Sequence, residues 1–110
     1  MKLPNANRAL IDRRKLVDYL LSSTHPVGKS KSRFFGNQGY SAQDPGTLEK
    51  GLMEIARGQD VVATVSSPHG VKHVVDGILS TPQGNRVPLR TVWVTETGRD
   101  YPRFVTAYPT

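Results

Sequence analysis

Apolar positions recur along the chain with two periods, and the period changes once. Leu16, Val17, Leu20 and Leu21 follow Asp12 at helical spacing, with Tyr19 flanking them. Asp12 has the chemistry of an N-cap, so a helix is predicted over 13–22. His25-Pro26 ends it, because the residue before a proline is driven out of helical geometry. Gly28 permits a second start. A short helix is predicted over 29–37, carrying Lys29, Lys31 and Arg33 outward and Phe34 and Phe35 towards the core. Gly36-Asn37-Gln38-Gly39 stops it. A third helix follows Asp44, with Pro45 at the first helical position, an apolar stripe of Leu48, Leu52, Ile55 and Ala56, and Gly58 at its end. Ahead of these, Pro4 blocks an early helix, and residues 1–11 are expected to form a short extended lead-in packed through Leu3, Ala9, Leu10 and Ile11.

From residue 61 the pattern is extended. Strands are predicted over 61–65, 71–79, 86–95 and 101–108. Turns fall at Ser67-Pro68-His69-Gly70, Thr81-Pro82-Gln83-Gly84-Asn85 and Glu96-Thr97-Gly98-Arg99-Asp100. Pro102 stands at the start of the last strand, where a missing donor is tolerable. No repeat or linker interrupts the chain, so residues 1–110 read as one domain. The expected fold class is α+β, with N-terminal helices packed on one face of a four-stranded antiparallel sheet.

Composition narrows the chemistry. The 110 residues include no cysteine, which excludes disulfides and thiolate zinc sites. His25, His69 and His73 are the only histidines, and none has a metal-ligand spacing beside a carboxylate, so neither metal nor cofactor is expected. No apolar run approaches the roughly 18–20 residues that span a bilayer. The N-terminus lacks the apolar segment of a signal peptide, and the chain reads as soluble and cytoplasmic. The net charge is +6, and its distribution matters more than its sum. Residues 1–40 hold eight cations against two carboxylates, whereas residues 41–110 hold seven of each. Such asymmetry points to a polyanionic partner, either nucleic acid or an acidic protein.

The basic part contains one unusual stretch, His25 to Phe35, with a histidine, three cations at alternate positions and an aromatic pair. A ribonuclease that works without metal needs a base for the 2′-hydroxyl, an acid for the leaving 5′-oxygen and cations for the phosphorane. His25 is the leading proton-transfer group. Lys31 and Arg33, with Lys29 close behind, are the candidate phosphate cations, and periodicity leaves open which of the three faces inward. In the strands, alternation puts Thr91, Trp93 and Thr95 on one face, and Phe104, Thr106 and Tyr108 on one face. Together these are expected to form a polar aromatic wall able to bind a nucleotide.

Two clusters of residues also carry a resemblance. One is Leu3-Pro4-Asn5-Ala6, Leu16…Tyr19-Leu20-Leu21, His25-Pro26-Val27-Gly28…Lys31-Ser32-Arg33-Phe34-Phe35 and Gly39-Tyr40. The other is Thr91-Val92-Trp93-Val94 and Arg103-Phe104-Val105-Thr106-Ala107-Tyr108-Pro109. They resemble the start and end of a small bacterial family of unassigned function, domain of unknown function 6883. That family distantly resembles the barnase–EndoU–colicin–RelE group of toxin ribonucleases. The resemblance implies the same helices-then-sheet fold and a metal-independent endoribonuclease, the toxin of a toxin–antitoxin module. It implies RNA (tRNA or mRNA) and a small neutralising antitoxin protein as partners. It carries over His25, Lys31, Thr106 and Tyr108 as catalytic residues, and less firmly Arg33, Thr91 and Arg103 as substrate contacts. The alternative is a non-catalytic module that binds RNA or an acidic protein through the basic N-terminal face.

Overall fold

The computed structural model describes residues 1–22, 24 and 29–110. The helices come first and the sheet second. A 3₁₀ turn at Ala6–Arg8 interrupts the N-terminal lead-in. The first helix, α1, begins as one α turn at Arg13–Lys15 and continues with wide, π-type bonding at Leu16–Leu20. Then come α2 (Lys29–Asn37), α3 (Pro45–Gly58), β1 (Val61–Ser67), β2 (Gly70–Ser80), β3 (Arg86–Glu96) and β4 (Arg103–Pro109). The strands form one antiparallel sheet in the order β1-β2-β3-β4, the meander that the turn signals predict. No described helix is long and apolar enough to cross a membrane.

Local chemistry explains most boundaries. The Asp12 carboxylate accepts the Arg14 backbone N–H at 3.0 Å and so caps α1. The helix then widens: the Leu21 N–H reaches back to the Leu16 carbonyl, five residues away, at 2.7 Å. This closure brings both Leu20 and Leu21 round to the buried side with Leu16. At the end of α2, Gly39 takes φ 94°. The Tyr40 N–H bonds the Phe35 carbonyl and the Gly39 N–H bonds the Gly36 carbonyl, a Schellman stop. Its usual apolar contact is present as the edge-on packing of Tyr40 against Phe35. In α3, Asp44 accepts the Thr47 hydroxyl at 2.6 Å rather than a backbone N–H.

Helix α3 lies across β2. Leu48, Leu52, Ile55 and Ala56 are buried, as their spacing predicts. The approach is close because Gly77 has no side chain: a Cβ there would lie 2.9 Å from Ile55. The core continues through Val75, Leu79, Leu89, Trp93, Phe104 and Ala107 on the same face of the sheet, with Leu3, Ile11, Leu16 and Phe35 closing it. The lead-in packs through Leu3 and Ile11, whereas Leu10 is exposed and serves through its backbone. It donates to the Pro102 carbonyl and accepts from the Phe104 N–H, each at 2.9 Å, as a one-residue parallel neighbour of β4.

One irregularity changes what the sheet displays. Val92 pairs with Thr106 and Trp93 pairs with Phe104, so Val105 is an extra residue on β4. The alternation expected for Phe104, Thr106 and Tyr108 therefore fails. Phe104 and Ala107 face the helices, opposite Trp93 and Thr91. Arg103, Thr106 and Tyr108 are opposite Val94, Val92 and Arg90 and belong to the uncovered side.

Candidate functional site

The bulge in β4 meets the last turn of α1. The Tyr19 hydroxyl lies 3.2 Å from the Thr106 hydroxyl. One turn before Tyr19, Lys15 shares its side of the helix, and its ammonium lies 5.7 Å from the centre of the Tyr19 ring. From α2, the Lys31 ammonium lies 5.7 Å from the same centre. Two cations and two hydroxyls, drawn from three elements, thus gather around one ring. Cation–π attraction holds each ammonium by only about 0.5–1 kcal/mol at exposed sites. An anion bound beside the ring would gain from the ammonium it faces. Asp12 and Asp18 line the same hollow as Lys15 and Tyr19; the Asp12 carboxylate is engaged first by Arg14 and also feels the Lys15 charge, which together hold its pKa down at about 2.

Beside this cluster lies the uncovered face of the sheet. Asp76 on β2, Arg90 on β3 and Tyr108 on β4 form one row across it. Arg90 donates to both carboxylate oxygens of Asp76, at 2.8 and 2.9 Å. This hydrogen-bonded fork raises the Arg90 pKa, with a smaller contribution from the Tyr108 hydroxyl, and lowers that of Asp76. The next row is Val74, Val92 and Thr106, and the next is Lys72, Val94 and Arg103. Arg103 donates to Glu96 at 2.9 Å.

The structure distributes the sequence candidates unevenly. Among the three cations of α2, Lys31 is the half-buried one over Tyr19, while Lys29 and Arg33 are exposed. Thr106 joins Lys31 through Tyr19. Tyr108 joins Arg90 in the neighbouring row, and Arg103 lies two pairs away, held by Glu96. His25 lies outside the described residues. His69 is exposed in the β1–β2 turn, and His73 is buried with its Nδ1 3.3 Å from the Thr64 hydroxyl.

Thr91 and Trp93 correct the expectation of a nucleotide-binding wall. Both are fully buried on the helix-covered face. The Trp93 indole N–H donates to the Thr91 hydroxyl at 2.8 Å, and that hydroxyl donates to the Val75 carbonyl at 2.7 Å. Their polar atoms are consumed by the core, so neither is open to a substrate. The residues that sequence reasoning missed are Lys15 and Tyr19 in the cluster, and Asp76 and Arg90 beside it. The four-residue spacing of Lys15 and Tyr19 in a predicted helix was a usable signal, because such residues are surface neighbours. Asp76 and Arg90 meet only through strand register, which their spacing does not disclose.

No curated protein sequence matches the chain. Among solved structures, a chain of a contact-dependent growth inhibition toxin–immunity protein complex from Klebsiella pneumoniae 342 superposes with a TM-score of 0.72. The match covers 91% of this chain and 98% of that one at 16% identity. At that identity the likeness is one of fold. The family model described as domain of unknown function (DUF6883) matches residues 2–110, and the chain belongs to that family.

Proposed function

We propose that this chain is a metal-independent endoribonuclease, the toxin of a two-component module. The observation that carries the reading is the convergence of Lys15, Lys31, Tyr19 and Thr106 at one edge of the sheet. Two ammoniums offer charge to the non-bridging oxygens of a phosphodiester, and two hydroxyls offer donors that fix its orientation. His25 precedes Lys31 by six residues and supplies the proton transfer. In the reaction, a base removes the 2′-hydroxyl proton and the 2′-oxygen attacks phosphorus. The bond to the 5′-oxygen breaks, and an acid protonates the departing oxygen. The products are a 2′,3′-cyclic phosphate and a 5′-hydroxyl. The fold shared with a chain of a toxin–immunity protein complex supports a toxin-like role and a small neutralising partner protein.

The test is incubation of the purified protein with tRNA and with mRNA in EDTA, followed by end-group analysis. Cyclic phosphate ends are expected, with His25→Ala and Lys31→Ala each slowing cleavage by about 10²-fold or more. Cleavage that survives both substitutions would sink the site. Absence of both cleavage and growth arrest on expression would sink the enzyme.

One observation favours a second reading, a binding module without turnover. Among the described residues, the side chains around Tyr19 are lysines, an arginine, hydroxyls and the carboxylates of Asp12 and Asp18, with cations suited to holding phosphate but no histidine. His69 lies in the β1–β2 turn and His73 is paired with Thr64. Affinity for RNA that falls steeply with salt, without cleavage and without dependence on His25, selects this reading.

A further inference from the structure

We infer that the uncovered face of the sheet, at Tyr108 and Arg90, is a platform for the nucleobase next to the phosphate held at Lys15, Tyr19 and Lys31. This rests on the reading of that cluster as a phosphate site. Thr106 and Tyr108 project from the same side of β4 two residues apart, a spacing of about 7 Å. That is the order of distance from a phosphate to the base of its own nucleotide. A group bound at Thr106 therefore has Tyr108 within the reach of one nucleotide.

The surface there suits a base. Tyr108 is 37% exposed, an aromatic residue left open to solvent. Its cross-strand partner Arg90 is held by two bonds to Asp76, so the guanidinium is fixed in the row that Tyr108 shares. Bases of single-stranded RNA stack on aromatic rings and on guanidinium planes. The adjoining row runs from half-buried Val74 over the buried Val92 to Thr106. Lys72 and Arg103 border that row on its other side, where a following phosphate would pass. An ion pair as exposed as Arg90–Asp76, with both side chains more than a third open, adds little to stability. Holding a flat cation in place for a ligand is a role that the same geometry does fill.

The platform is tested with two uncleavable 2′-O-methyl tetranucleotides, one bearing uracil bases and one abasic. Wild-type protein is expected to bind the base-bearing chain about tenfold more tightly. Tyr108→Ala should erase that preference while the abasic chain binds as before, and Tyr108→Phe should keep it. Arg90→Lys, which retains charge but loses the plane, should reduce it. Lys31→Ala should weaken both chains equally and leave their ratio intact. A Tyr108→Ala protein that melts like wild type and keeps the full preference overturns the platform, as does a wild type without preference. A Lys31→Ala protein that binds both chains undiminished overturns the phosphate site instead.

Discussion

The two faces of the sheet use similar residues for opposite purposes. Thr91 and Trp93 alternate with Val92 and Val94 along β3, and it is the threonine and the tryptophan that the helices cover. What makes this affordable is a closed chain of hydrogen bonds, from the Trp93 indole to the Thr91 hydroxyl to the Val75 carbonyl. With those partners a buried polar atom costs little, and the large indole fills the space between Phe104 and the helices. On the other face, Val65 and Ile78 remain about half exposed, and ion pairs take the place of packing. One side of the sheet holds the molecule together. The other is free to be shaped by what binds it.

The sharpest way to break that comparison is to truncate matched residues on the two sides. Trp93→Ala should cost roughly 3–5 kcal/mol in chemical denaturation, because it empties a fully buried site. Tyr108→Ala, on β4 and on the open side, should cost well under half as much. Equal losses would mean that the open face is packed against something in the free protein.

A smaller contrast comes from the two threonines. Thr91→Val is nearly isosteric but leaves the Val75 carbonyl and the Trp93 N–H without their partner, for a loss of about 1–3 kcal/mol. Thr106→Val gives up one contact, with the half-buried Tyr19 hydroxyl, and should cost well under 1 kcal/mol while lowering phosphate binding. If both variants unfold at the same denaturant concentration, the hydroxyl at Thr106 is structural and the cluster around Tyr19 loses its functional claim.

These contrasts mark where the sequence was legible. The stripe of α3, from Leu48 to Ala56, needs only helical period and a proline at the start. The meander needs only turn residues between β-rich runs. Both depend on contacts near in sequence, and both match the structure. The face of β4 did not follow, because one extra residue at Val105 exchanges the sides beyond it, and no local preference announces a bulge. Helix α1 is shorter and wider than its pattern predicts, because Leu20 and Leu21 are both drawn to the core. The candidate site was legible in part: Lys31 and Thr106 stand out by chemistry, but the ring that joins them, Tyr19, reads in sequence as one more apolar position flanking a helix.

The finest probe of the covered face is its histidine. His73 pairs with Trp93 across β2 and β3, is nearly buried, and faces Thr64 on β1. Burial disfavours the imidazolium, so its pKa is lowered from 6.5. As pH falls through 6.5 the unfolded chain takes up this proton first, and the folded protein resists it. Stability attributable to His73 is therefore complete above that pH, declines below it, and levels off once the folded form is also protonated. Each unit of depression corresponds to about 1.4 kcal/mol. Asp12, Asp60, Asp76 and Asp100 are all pulled below 3.8 by paired cations and stay ionised through this window. Subtracting the His73→Gln melting profile from that of wild type between pH 7.5 and 5 isolates the histidine, since every other side chain is the same in both proteins. A difference that grows as pH falls, with wild type losing more, places His73 inside the covered layer. A flat difference places it in water, and the boundary between the two faces then lies one strand closer to β3.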